Sequence, residues 1–361
     1  MKTLPLSMAL LAILVSALLI PACARAQMRR GGGSAAQSPA LGATSATPPA
    51  PPSSGPGSAS YAHAGVTKNL YGEGALAYWV FEPANPAPAS APVVLFLHGW
   101  RATDPRDYGG WIDHLARKGN IVLYPVFEGG RSDSTDEIMA HAIQGTKDAL
   151  ERIKQGPIRP DLDRFAIVGH SLGGGLTSQV AARVQASGLP TPKVIMPTQP
   201  GWKGNDAMPT DKLGDIPASV LMLIVVGSQD QFASTRQGKV IYSATKQIPP
   251  DQKRYVTIQG DNHGSPPLIA DHSSPLAFRP DYGVPATAAQ QRRIQLVERV
   301  TGMRENTANA LNYWGYYRLF DALADAGFSG KKIDAALAGA QPSGKWSDGA
   351  ALQPFLVTAS P

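Results

Sequence analysis

The sequence predicts an α/β fold, a mostly parallel sheet with helices on both faces, on three observations. First, short apolar runs recur without polar alternation, at Pro92–Leu97, Ile121–Tyr124, Phe165–Val168 and Ser219–Val226. Unbroken apolarity over four to eight residues marks strands buried on both faces, as the strands of a parallel sheet are. Second, segments with helical periodicity alternate with these runs, the pattern of strands joined by crossover helices. Third, the strand Arg164–Val168 runs directly into Gly169-His170-Ser171-Leu172-Gly173 and then into a helix whose apolar face is Leu176, Val180 and Val184, stopped by Gly188 and Pro190.

The third observation carries chemistry. To turn from strand to helix within about two residues the chain must bring backbone segments together where a Cβ would collide, so glycines flank Ser171 on both sides. The serine hydroxyl is left at the carboxyl end of the sheet, beside the first unpaired N–H groups of the following helix, which can stabilise an oxyanion. A G-x-S-x-G pattern alone is weak in a chain with 37 glycines among 361 residues, and it is the strand before and the helix after that single out Ser171 as a nucleophile.

In chain order, Met1-Lys2, the apolar run Leu4–Ile20 and the small residues Ala24-x-Ala26 make an export signal cleaved after Ala26. A membrane anchor is the weaker reading, because the run is short for a span and ends in Pro21. Secretion or a periplasmic location follows, with lipid attachment through Cys23 as the alternative. Cys23 is the single cysteine and lies in the signal, so the mature chain is expected to lack disulfides, thiolate metal sites and a cysteine nucleophile. Residues 27–60, rich in Gly, Ser, Ala, Thr and Pro, read as a disordered linker that cannot bury enough apolar area to offset its ordering entropy. The folded catalytic domain is expected over 61–361.

That domain opens with β-like pieces at Val66–Tyr71 and Ala75–Phe81, separated by Gly72-Glu73-Gly74 as in a hairpin. Strand Pro92–Leu97 ends at His98-Gly99-Trp100, helix Tyr108–Lys118 stops at Gly119, and strand Ile121–Tyr124 follows. Ser134-Thr135-Asp136-Glu137 is a capping box that opens a helix to about Lys154. Beyond the turn at Ser171 come strand Lys193–Pro197, a loop with Pro200-Gly201-Trp202, and strand Ser219–Val226 running to Gly227-Ser228-Gln229-Asp230. A helix over Ser234–Lys246 then leads to strand Arg254–Gln259 and the turn Gly260-Asp261-Asn262-His263-Gly264. Residues from about 280 to 361 form a helical extension. Its clearest segment, Asn309–Ala326, puts Tyr313, Tyr316, Tyr317, Phe320 and Leu323 on one face, read as core packing rather than a partial lid.

The formal charge is +6, with the basic residues scattered rather than clustered. Solubility and a mild attraction to anionic surfaces are expected, not nucleic-acid binding. No stable membrane insertion is expected once the signal is removed, and oligomeric state is left open.

In open α/β sheets ligands bind at the carboxyl ends of the strands, and four strand ends here carry candidate chemistry: His98-Gly99-Trp100, Ser171, Asp230 and His263. A serine hydroxyl needs an imidazole base, and the imidazole needs a carboxylate to fix its tautomer. With these motifs in this order, Tyr61–Ser265 resembles the α/β-hydrolase superfamily. It is most similar to secreted single-domain esterases of the cutinase, polyester-hydrolase and chlorophyllase kind. The resemblance implies Ser171 as nucleophile, His263 as base and Asp230 as acid, with the backbone N–H groups of Trp100 and Leu172 as oxyanion hole. His272 is the competitor of His263, and Asp206, Asp211 and Asp261 are those of Asp230. His98 is expected to steady the oxyanion loop, and Trp100, Trp202 and His170 to contact substrate. The stretch between the strands at Lys193–Pro197 and Ser219–Val226 is too short for a lid domain, so an open cleft is expected.

The function expected is hydrolysis of carboxylic esters, of short or medium acyl chain or polyester-like, through an acyl-enzyme. Peptide or thioester hydrolysis, acyl transfer and a non-catalytic binding module remain open alternatives. The partner is the ester substrate itself. No metal or organic cofactor is implied, since neither an H-E-x-x-H pattern nor a G-x-x-x-x-G-K followed by Ser or Thr is present.

Overall fold

The computed structural model describes residues 46–130, 133–203, 208–284, 307–359 and 361. The expected signal, the linker up to residue 45, and Asp206 lie outside the described residues. Among the described residues no helix is long and apolar enough to cross a membrane.

Among the described residues nine strands form one mixed sheet: β1 (Gly65–Tyr71), β2 (Tyr78–Ala84), β3 (Ser90–Leu97), β4 (Ile121–Pro125), β5 (Arg159–His170), β6 (Val194–Thr198), β7 (Leu221–Gly227), β8 (Lys253–Ile258) and β9 (Leu356–Thr358). Their order across the sheet is β1-β2-β4-β3-β5-β6-β7-β8-β9. The run from β4 through β8 is parallel, with antiparallel pairs at both edges. The expected hairpin is β1–β2, paired from Gly65↔Ala84 to Tyr71↔Tyr78.

The period-2 geometry of the strands divides the core into two layers. Val94 and Phe96 of β3 face one layer with Val168 and Met196, while Val93, Leu95 and Leu97 face the other with Ile167 and Ile195. On the first face lies helix α1 (Gly109–Arg117), which buries Trp111, Ile112 and Leu115. The second face is covered by α2 (Thr135–Ile153) and α3 (Leu172–Ala181). The short α4 (Val184–Ser187) follows, and α5 (Arg236–Ala244) completes that layer with Ile241 and Tyr242. Helix α2 begins as expected: the Ser134 hydroxyl accepts the Glu137 N–H at 3.2 Å and the Glu137 carboxylate accepts the Ser134 N–H at 2.7 Å.

The C-terminal extension belongs to the first layer. A wide π-type turn over Asn312–Tyr317 leads into α6 (Arg318–Phe328), followed by α7 (Ile333–Ala338). Tyr316, Tyr317, Phe320 and Leu323 are all buried there. Gly327 comes so close to β6 that a Cβ at that position would lie 2.2 Å from Val194 Cγ1. Neither α7 nor the edge strand β9 is evident in the sequence, because β9 is only three residues long and exposed throughout.

The expected linker needs correction over 46–60. This stretch lies on the extension: Trp314 Nε1 donates to the Ala50 carbonyl at 2.9 Å, an Arg318 guanidinium nitrogen to that of Pro56 at 2.9 Å, and the Gly57 N–H to Asp321 Oδ2 at 2.8 Å. Ala46 is buried and its carbonyl accepts the Ser265 N–H. The described fold therefore begins by Ala46 rather than near Tyr61. Composition misleads here because the segment is held largely through its backbone by side chains remote in sequence, with few apolar side chains of its own such as Ala46 buried.

Candidate active site

Ser171 stands where β5 ends and α3 begins, with φ 57° and ψ −122°. A β-carbon-bearing residue rarely adopts a positive φ, and such strain persists only where the surroundings impose it. They do so here: the Ser171 N–H donates to the Thr198 carbonyl at 3.1 Å, and the Ser171 carbonyl accepts from Gly175 and Gly201. A Cβ on Gly169 would lie 2.3 Å from the Gly173 carbonyl oxygen, so the turn can close only with glycine there.

The imidazole facing Ser171 is that of His272. Its Nε2 lies 2.9 Å from Ser171 Oγ and its Nδ1 2.9 Å from Asp230 Oδ2. Asp230 follows β7, and its second oxygen, Oδ1, accepts the N–H groups of Phe232 and Ala233, each at 2.9 Å. Burial alone would raise the Asp230 carboxyl, but the His272 ring and the two amides outweigh it, so its pKa is lowered and it is held as the carboxylate. The His272 ring is flanked by His170 and Phe232, each with its ring centre 4.8 Å away.

His263 is elsewhere. Its Nε2 lies 2.7 Å from Asp348 Oδ2 and its backbone N–H donates to Asp261 Oδ1. The chain passes His263, doubles back through the Asp261↔Leu268 bridge, and is drawn over the end of β7 by Gln229, whose N–H donates to the Ala270 carbonyl while its Oε1 accepts the Ala270 N–H. Two residues later His272 stands beside Ser171. The only sequence signal favouring it was shared with His263, a position after the last parallel strand. Of the competing carboxylates, Asp261 holds Trp346 Nε1 and the Gln353 N–H, and Asp211 is exposed.

A cleft of about 690 Å³ opens in front of Ser171, lined by Trp100, Leu172, Trp202, Phe232, Lys203 and Arg236 among others. Trp100 is 52% and Phe232 80% exposed, so two large apolar rings flank the mouth. Leu172 opens α3, and its N–H precedes the first backbone bond of that helix, made by Gly175. Trp100 sits in a turn closed by the Ala102 N–H on the Gly99 carbonyl, and the Arg101 N–H is gripped by both oxygens of Glu128. His98 is buried behind that turn, with Nδ1 2.8 Å from the Gly99 carbonyl and Nε2 2.6 Å from that of Val126. A second groove of about 680 Å³, lined by Lys147, Asp148, Glu151 and Lys154, brings no nucleophile and base together.

His170 also needs correction, for it does not reach the cleft. It is 3% exposed and lies beneath His272, between Tyr108 and Gln199. Burial, with the His272 ring second, pushes its pKa down to about 3, so it is neutral at physiological pH. The unfolded chain takes up a proton near pH 6.5 that the folded chain refuses, so this contribution to stability is complete above pH 6.5 and falls with pH towards 3. From His170 alone, urea denaturation at pH 5 should show about 2 kcal/mol less stability than at pH 7.5. A His170→Gln variant should show a correspondingly smaller fall, and an equal fall in both proteins contradicts the neutral burial.

A mostly parallel sheet, helices on both faces and a sharp strand-to-helix turn at Ser171, at the carboxyl end of its central strand, define an α/β-hydrolase. Within that class, residues 73–198 match the chlorophyllase family model, a family among the esterases of the superfamily. The match includes Ser171 and stops short of Asp230 and His272. No curated protein was found to match the chain.

Proposed function

We propose that the chain is an exported serine hydrolase that cleaves carboxylic esters through an acyl-enzyme. The observation that carries this is the unbroken row from Ser171 Oγ through His272 to Asp230, with both contacts at 2.9 Å. His272 takes the Ser171 proton as Oγ attacks the ester carbonyl, and Asp230 fixes the tautomer that leaves Nε2 free to accept it. The tetrahedral oxyanion is held by the N–H groups of Trp100 and Leu172, and the imidazolium then gives its proton to the departing alkoxide. Water, deprotonated by the same ring, releases the acid and restores the serine.

The cleft favours esters with a bulky apolar or aromatic group. Trp100, Trp202 and Phe232 supply flat apolar surface around Ser171. Export rests on the Leu4–Ile20 run and Ala24-x-Ala26. The test is hydrolysis of p-nitrophenyl esters from acetate to palmitate, with labelling by a fluorophosphonate. Turnover and a label on Ser171, absent from Ser171→Ala, are expected. A protein that neither turns over any ester nor takes the label is not a serine hydrolase.

A further inference from the structure

Behind the proposed site a buried row of hydrogen bonds joins the loop carrying Trp100 to the loop carrying His272. The Gly99 N–H donates to Tyr108 Oη at 2.9 Å, and Tyr108 Oη lies 2.8 Å from His170 Nδ1. His170 Nε2 is 3.3 Å from Gln199 Oε1. Gln199 Nε2 in turn donates to the Asp271 carbonyl at 2.8 Å, and has Tyr316 Oη at 3.0 Å and Ser274 Oγ at 3.3 Å. Ser274 Oγ adds a second bond to the same Asp271 carbonyl at 2.6 Å. Tyr108, His170, Gln199 and Tyr316 are all buried.

The direction of each bond follows from donor counting. The Asp271 carbonyl can only accept, so the Gln199 NH₂ faces it and Oε1 faces His170. An amide oxygen can only accept, so His170 carries its proton on Nε2. Its Nδ1 is then an acceptor, which suits Tyr108, whose hydroxyl has one hydrogen to give while its lone pair receives the Gly99 N–H. This arrangement satisfies Gly99, Tyr108, His170 and Gln199 together, and buried polar rows of that kind fix geometry because any broken bond leaves an uncompensated group. Gln199 itself is held at φ 42°, with its N–H on the Val225 carbonyl.

We propose that Gln199 is a positioning residue for His272. Its amide nitrogen clamps the backbone of the preceding residue, Asp271, while its amide oxygen locks His170 in the Nε2–H tautomer as the wall on which the His272 ring rests. The inference rests on His272 being the base of the reaction above. Gln199 reaches neither the substrate nor Ser171 directly, so its loss should act on His272 geometry, where an error of about 1 Å can cost a hundredfold in rate.

Two variants of Gln199 and one measurement on the wild type test this. Gln199→Leu removes both functions. Gln199→Met keeps the length of the side chain but can neither donate to Asp271 nor accept from His170. Both should lower kcat on a p-nitrophenyl ester by about 10- to 100-fold with KM within about twofold. The downfield proton signal of His272 Nδ1–H should also shift or broaden in both. In wild type, ¹⁵N spectra should show His170 as the Nε2–H tautomer. Wild-type kcat in either folded variant overturns the proposal, as does an Nδ1–H or doubly protonated His170 in the wild type, a result that does not depend on any variant folding. An inert, unlabelled wild type counts instead against Ser171 as nucleophile, so the two failures are distinguishable.

Discussion

His272→Ala is expected to lower kcat/KM on a short p-nitrophenyl ester by at least about a thousandfold, while His263→Ala stays within about threefold of wild type. Both histidines follow β8, and each lies within hydrogen-bonding distance of an aspartate, so the comparison turns on contact with Ser171. Only His272 also reaches Ser171 Oγ. In the proposed mechanism, removing it leaves Ser171 without a proton acceptor, and the residual rate is what the oxyanion donors and substrate binding supply. Removing His263 breaks a contact with Asp348 in which both side chains are more than a third exposed, and such pairs contribute at most about 1 kcal/mol to stability. A kinetic comparison under one set of conditions checks both. Loss of activity in His263→Ala with retention in His272→Ala would reverse the assignment.

Why the sequence points to His263 while His272 is the ring beside Ser171 is a matter of range. Ser171 and Asp230 could be read because local rules fix them: one sits at a strand-to-helix turn closed by glycines, the other directly after an apolar strand. His272 is placed by contacts between distant segments, Gln229 with Ala270 and Gln199 with Asp271, which no local periodicity encodes. The same distinction runs through the fold. The strands β3 to β8 and helices α1 and α2 follow from apolar runs and a capping box. The ordering of residues 46–60 does not, because Trp314, Arg318 and Asp321 hold it from more than 250 positions away. The burial of His170 escapes the sequence for a related reason. Its place between Gly169 and Ser171 fits exposure at the cleft as well as burial, and only its partners Tyr108 and Gln199 decide for burial.

Gly173→Ala should destabilise the fold by about 3 kcal/mol or more and lower the activity of whatever remains folded. A Cβ at this position would lie 2.0 Å from the Leu97 carbonyl oxygen and 2.5 Å from that of His98. These are backbone atoms at the end of β3, a strand paired on both sides by β4 and β5, so no flexible side chain can move aside to relieve the overlap. His98 is further fixed through the Val126 carbonyl. Relief has to come from lifting α3 away from the sheet or from pushing the end of β3 outward. The first moves Ser171 and the Leu172 N–H, and the second moves Gly99 and Trp100, so either way Ser171 and the proposed oxyanion donors lose their mutual distance. Gly214→Ala is the matching control: a Cβ there meets nothing within 4 Å and the residue is exposed, so a change within about 0.5 kcal/mol is expected. Urea denaturation of both variants, with ester turnover at a denaturant concentration where each is folded, separates the two effects. If Gly173→Ala unfolds with the wild type and turns over ester at the same rate, the turn is not clamped against β3, and the placement of Ser171 must come from somewhere other than this contact.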